Sequence, residues 1–219
     1  MKYSDLDWIL PQIDTLLAYA PKLLVSHELS QISNIEERFF KILVASVISL
    51  RTKEKVTWEA SKRVFSQVKD FQTLANIVPD ALEKMLYPCG FYKRKTIQLK
   101  EIAKIMLASS NPLPQSIEEL LLLPGVGRKV ANLVVTEVFG QEGICVDIHV
   151  HRIVNRWGWV KTANADQTEL RLRERLPRQY WRGLNRRLVL LGQNICLPRN
   201  PKCAECFLDK FCPKVPFVN

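Results

Sequence analysis

The sequence predicts an all-α protein. Three observations carry that expectation. Apolar residues recur at helical spacing through most of the 219 residues. Prolines at 79, 88, 112, 114 and 177 fall between these runs, where helices stop or start. No stretch alternates apolar and polar residues as a half-buried strand would. Apolar residues make up 47% of the chain, enough to build a core, so a disordered chain is excluded. There is no internal repeat and no low-complexity tract.

The elements follow in order. Leu6, Ile9, Leu10, Ile13, Leu16 and Leu17 share one helical face, with Pro11 as a blemish near its middle. From Ile35 to Leu50 the chain is apolar on nearly every side (Phe39, Phe40, Ile42, Leu43, Val44, Val47, Ile48), which describes a buried central helix. Further helices are predicted near 54–68, 72–77, 80–86, 94–108, 116–122, 127–139, 148–157, 167–176 and 180–194. Two lobes are expected. One is a helical barrel over 30–141. In the other, the first helix returns to pack with 142–219.

Lys and Arg number 32 against 22 Asp and Glu, a formal charge of +10, with a pI near 9.4. Such a surplus suits a polyanionic partner, most often nucleic acid, although a merely solvated basic surface gives the same sum. No apolar stretch is long enough to span a bilayer, and the start, MKYSDLDWIL, does not read as a secretory signal. The protein is therefore expected inside the cell, in cytoplasm or nucleoid if the source is bacterial, as a monomer. Its six cysteines are then not a disulfide framework.

Four of them crowd the C-terminus. Cys196, Cys203, Cys206 and Cys212 are spaced C-x6-C-x2-C-x5-C. Four soft thiolates on a short loop suit zinc or an iron–sulfur cluster. Structural zinc more often uses two short Cys-x-x-Cys knuckles, and only one close pair exists here. The spacing therefore favours a cubane 4Fe–4S cluster. Cys89 and Cys145 stand apart and read as small core residues.

The second motif is LPGVGRK, residues 123–129. A helix ending in SIEELLLL, a PGVG turn and a second helix opening with RKVANLVV make a helix–hairpin–helix. Gly125 and Gly127 are expected to supply backbone angles that other residues resist. Backbone N–H groups of Gly125, Val126, Gly127 and Arg128, at the start of a helix, could cradle a phosphate. A plain αα-hairpin is the alternative. Eighteen positions beyond Lys129 stands Asp147, in CVDIHVHR, placed to cap a helix. His149 and His151, two apart, face different sides of that helix and make a poor metal pair. They read as structural, with His151 and Arg152 as candidates for phosphate contact.

LPGVGRK, VDIHVHRIVNR and the four-cysteine tail, in that order, resemble the endonuclease III family of DNA glycosylases over essentially the whole chain. The resemblance implies a two-lobed helix–hairpin–helix glycosylase fold with an iron–sulfur cluster loop, acting on double-stranded DNA with damaged or abasic nucleotides. It implies that Lys129 is the nucleophile. Its amine would attack the sugar C1′, expel the base and form a Schiff base, after which β-elimination breaks the strand. An amine attacks only when neutral, and the partial positive charge at a helix start disfavours the ammonium. Without the resemblance, Lys129 would read as a phosphate contact. Asp147 is implied to serve the nucleophile and to stabilise the positive charge developing on the sugar, facing Lys129 across the cleft between lobes.

The family commonly carries Gln where this chain has Arg51, in SLRTKEKVT. That side chain is implied to fill the gap left by the flipped nucleotide. In YPCGFYKRK, Phe91 would be a second wedge, and Lys93, Arg94 and Lys95 would hold phosphates. A loop with one buried aromatic and a solvated basic run is the other reading. Arg199 and Lys202, inside the cysteine loop, would present charge to the DNA backbone. The activity implied is a bifunctional glycosylase and abasic-site lyase of base excision repair, removing oxidised pyrimidines. The rivals are a monofunctional mismatch glycosylase of the same superfamily, which lacks a lysine at the nucleophile position, and a catalytically silent iron–sulfur DNA-binding protein.

Overall fold

The computed structural model describes residues 2–16, 25, 28–111 and 113–217. Among them the chain is helical, and no strand forms. Eleven α-helices are described: α1 (Leu6–Leu16), α2 (Ile35–Ser49), α3 (Glu54–Gln67), α4 (Phe71–Asn76), α5 (Pro79–Leu86), α6 (Tyr92–Ala108), α7 (Ile117–Leu121), α8 (Arg128–Phe139), α9 (Ile148–Arg156), α10 (Ala165–Arg175) and α11 (Leu184–Asn194). Leu17 and Pro112 lie outside the described residues. Pro11 does sit inside α1. The last helix begins later than the sequence suggests, because a short 3-10 turn at Arg178–Tyr180 and the left-handed Gly183 precede it.

Two compact units divide the chain. One comprises Lys22–Gln141 and the other Met1–Pro21 with Glu142–Asn219. In the first, α2 runs through the core and packs on α3, α6 and α8. Phe39 is fully buried, edge-on to Phe71 and tilted against Phe139. Truncating such a ring to alanine costs about 3–5 kcal/mol. Asn34 starts α2 by accepting the Glu37 N–H at 2.7 Å. In the second unit, α1, α9 and α11 close over a core that includes Leu6, Ile9, Ile13, Val150, Ile153, Leu188 and the buried Trp157.

A few of the 32 cations serve helix ends, and two of these, Lys95 and Arg152, are buried. The last carbonyls of a helix lack intrahelical donors, and a cation there is favoured by the helix dipole. Lys95 Nζ donates to Ile48 O at the end of α2, Lys100 Nζ to Ala75 O and Ile77 O at the end of α4, and Arg63 to Met85 O and Tyr87 O at the end of α5. Arg152 serves Gly192 O and Cys196 O around the end of α11. The net charge therefore overstates the basic surface offered to a partner.

Candidate nucleic-acid interface and catalytic residues

The hairpin forms as its residues dictate. Ser116 caps α7 in a capping box with Glu119. The turn follows, with the Val126 N–H donating to Leu123 O at 3.1 Å. Gly125 has φ +77 and lies against α6, where an added Cβ would come 2.4 Å from the Gln98 amide nitrogen. The left-handed backbone thus favours glycine at 125. Gly127 differs from expectation. Its φ of −99 and ψ of 178 are extended angles open to any residue, and a Cβ there would meet nothing within 4 Å. What Gly127 supplies is an uncovered helix start: it is the N-cap of α8, without a side chain to close it. An anion could approach that end of the helix closely. Val126 also departs from its assigned role. Its side chain is buried and its N–H is spent within the turn, so Val126 shapes the hairpin instead of donating to a phosphate. Arg128 and Lys129 occupy the first turn of α8, both half-buried.

Arg51 and Phe91, forty residues apart, come together. Both are non-glycine residues in the left-handed region, at φ 51 and φ 57. The Arg51 guanidinium lies 5.5 Å from the centre of the Phe91 ring. Phe91 is the N-cap of α6 and is 61% exposed, so it is not a buried loop aromatic. Lys93 and Arg94 are exposed beside it. Lys95 is not. It is only 3% exposed, and its Nζ donates to Ile48 O at 2.6 Å and to Thr52 Oγ1 at 2.8 Å. It lies on the buried face of α6, one turn beyond Phe91, so the expected phosphate contact from Lys95 is corrected to an internal one. Burial pushes its ammonium below the ordinary lysine range. The same helix that begins at the Arg51–Phe91 pair passes Gly125 at Gln98, about 10 Å further along at 1.5 Å per residue.

Asp147 is the N-cap of α9, and its Oδ1 accepts from the N–H groups of His149 and Val150, each at 2.9 Å. The capping bonds fix the carboxylate, and Oδ1 carries both. Arg152 is not a phosphate contact, and His151 is engaged inside the protein through Nδ1. The Nδ1 of His151 pairs with Thr168 Oγ1 at 2.7 Å, and burial pulls the imidazole below its usual value. Arg152 is 3% exposed and bound to the carbonyls named above.

Cys196, Cys203, Cys206 and Cys212 line one cavity of about 240 Å³, beside Trp157 and Leu208. Among the described residues, no three or more metal-ligating side chains converge closely enough on one point to hold an ion. Burial pushes the thiols of Cys206 and Cys212 up. Arg156 steadies the start of the loop: its Nη1 reaches Cys196 Sγ at 3.3 Å and Leu197 O at 2.6 Å, and Nη2 donates to Pro198 O at 2.9 Å. Sequence reasoning missed this residue, although Arg156 four positions after Arg152 shares its helix face. Arg199 is exposed, and Lys202 is exposed with its Nζ 3.6 Å from Glu205.

Comparison with known proteins decides the family. The HhH-GPD superfamily base excision DNA repair protein profile matches residues 44–178. Endonuclease III of Thermotoga maritima is 42% identical over 174 residues, covering 79% of this chain and 82% of that protein. The chain belongs to the endonuclease III family. The chloroplastic endonuclease III homolog 2 of Arabidopsis thaliana is 38% identical across 81% of this chain, which spans only 49% of that relative's length. Among solved structures, a non-covalent endonuclease III–DNA complex superposes with a TM-score of 0.82 at 24% identity, covering 98% of this chain and 96% of that one. A thermostable thymine-DNA glycosylase reaches 0.78 at 22% identity, covering 94% of each chain. These two likenesses establish the shared fold.

Proposed function

We propose that this endonuclease III family enzyme is a bifunctional DNA glycosylase and abasic-site lyase that removes oxidised pyrimidines from duplex DNA. As a family member it is a base excision repair glycosylase. The observation that carries the bifunctional reading is Lys129, an amine in the first turn of a helix whose glycine cap leaves the helix start uncovered. A phosphate held at that helix start would bring the neighbouring sugar towards the lysine. The Lys129 amine would then attack C1′ with its lone pair. The bond from C1′ to the base breaks, and the base leaves with the electrons of that bond and takes up a proton. The amine now bonded to C1′ gives up a proton, and its lone pair expels O4′, which takes up a proton, so the sugar opens as an iminium. A base then removes a 2′ proton, and the electrons expel the 3′ phosphate. Water releases the lysine. Asp147, held by two N–H groups, serves as the fixed negative charge for the cation that develops on the sugar.

Arg51 and Phe91 are assigned to the gap left by the flipped nucleotide, since an exposed aromatic ring with a guanidinium beside it offers flat faces to neighbouring bases. Lys93, Arg94, Arg199 and Lys202 are assigned to the phosphate backbone.

The cysteine site fits a 4Fe–4S cluster. Its donors are four thiols, the ligand type such clusters require, and the cavity they line has room for more than one atom. When bound, the cluster would crosslink the loop from Cys196 to Cys212. Arg156, donating to Cys196 Sγ, would temper the charge on that ligand.

The test is incision of a duplex carrying one thymine glycol. The reading expects base release together with a nick whose 3′ end carries an unsaturated sugar remnant. Base release without any nick would leave a monofunctional enzyme and overturn the lyase half.

A further inference from the structure

We infer that Lys95 is a positioning residue that holds Arg51 and Phe91 side by side in the geometry with which they meet the duplex. The inference rests on the reading of that pair as gap-filling residues.

Arg51 and Phe91 both occupy left-handed backbone conformations. L-residues adopt these reluctantly, and such conformations persist where neighbouring structure over-determines them. Here the neighbours are few and identifiable. The Lys95 ammonium bridges Ile48 O, in the last turn of α2, and Thr52 Oγ1, just past Arg51. The same Thr52 hydroxyl accepts the Gly90 N–H at 3.2 Å. One ammonium and one hydroxyl thus tie together Ile48 and Thr52, which bracket Arg51, and Gly90, the residue before Phe91. The two backbones are in contact there, since a Cβ on Gly90 would lie 2.4 Å from Arg51 O. The Lys95 N–H itself closes the first turn of α6 on Phe91 O at 3.0 Å.

A buried ammonium is costly to keep, and a plain helix end needs only water or a turn. The cation sits where two strained residues must be kept side by side. Removing it leaves Ile48 O and Thr52 Oγ1 without its donor and lets the Arg51 turn relax. Lys95 touches no DNA in this account. Its effect passes through the pair.

The experiment compares cluster-loaded wild type, Lys95→Met and Thr52→Val on one abasic site, placed in duplex and in single-stranded DNA. Melting curves are run alongside. A single strand has no stack to fill, so it does not need the pair. The inference predicts that both variants lose about tenfold to a hundredfold in single-turnover cleavage of the duplex, the scale of a small misplacement near a reaction centre. It predicts that the single-strand rate does not fall with it. A merely structural lysine would lower both rates together, or neither, and either result overturns the inference. If Lys95→Met does not fold, Thr52→Val decides alone, because it removes the bridging hydroxyl and leaves the ammonium on Ile48 O. Arg51→Ala and Phe91→Ala test the underlying reading separately. If neither slows duplex cleavage, the gap-filling assignment fails, whatever Lys95→Met does.

Discussion

Replacing Gly125 and Gly127 by alanine, one at a time, should separate folding from DNA binding. At Gly125 the backbone is left-handed at φ +77. An L-residue pays about 1–2 kcal/mol there. The new methyl would also lie 2.4 Å from the Gln98 amide. That amide is the far end of a flexible side chain and can swing away at little further cost. For a chain of this size, about 1–2 kcal/mol lowers Tm by roughly 2–8 °C. At Gly127 the angles suit alanine and the space is open. Alanine is a poorer N-cap than glycine, by up to about 1 kcal/mol. It also narrows the unfolded ensemble, which returns about 0.4–1 kcal/mol. Tm should therefore stay within about 2 °C of wild type. The methyl would, however, project from the cap of α8, where a phosphate is expected to dock. Losing one charge-assisted hydrogen bond costs about 1.5–3 kcal/mol, or roughly 10- to 150-fold in Kd. Thermal melts and fluorescence anisotropy on a duplex with a stable abasic analogue measure both quantities. Wild-type affinity in Gly127→Ala would refute the phosphate site at this helix start.

Further substitutions probe the other assignments. Asp147→Asn keeps a good N-cap, so Tm should hold while glycosylase and lyase rates fall; Asp147→Ala should lose the rates and also about 0.5–2 kcal/mol of stability. Full activity in Asp147→Asn would reduce Asp147 to a cap. Cys206→Ser should yield protein with little bound iron and sulfide, and Arg156→Ala should retain less of both than wild type on standing in chelator, since the loop start loses its three bonds to Arg156. Equal iron retention in Arg156→Ala would show that the loop needs no such support. Because a guanidinium donates but cannot accept, lesions opposite guanine should be excised faster than those opposite adenine. Arg51→Gln should narrow the gap, by about 1–3 kcal/mol at most. Single-turnover rates on thymine glycol opposite each purine measure this, and equal rates in both proteins would sink it.

The helices were legible because two signals agree along the chain: apolar spacing and prolines between runs. Phe39 and Ile42 mark α2 as buried without any tertiary knowledge, and Asp147 announces its helix. Pro11 was legible as a blemish and proves tolerable near the middle of α1. The inward cations were not legible. Lys95 follows Lys93 and Arg94 in one basic run, yet its place on the inner face of α6 sends it to a carbonyl. Arg152 is similarly drawn to the carbonyls around the end of α11. Charge counts cannot show which carbonyls a fold leaves short of donors. The Arg51–Phe91 pair was hidden for another reason: it joins two segments forty residues apart, and only the packing of α2 against α6 brings them together. The two glycines of LPGVG looked equivalent in sequence, and only the backbone angles tell them apart.

The central claim is that Lys129 supplies the reacting amine. Borohydride reduction during reaction with an abasic duplex tests it most directly, because only a Schiff base is converted to a stable protein–DNA adduct. The account predicts that wild type is trapped, that peptide mapping places the adduct on Lys129, and that Lys129→Ala gives neither adduct nor nick while still binding the duplex. A Lys129→Ala protein that traps or cleaves at the wild-type rate would contradict it.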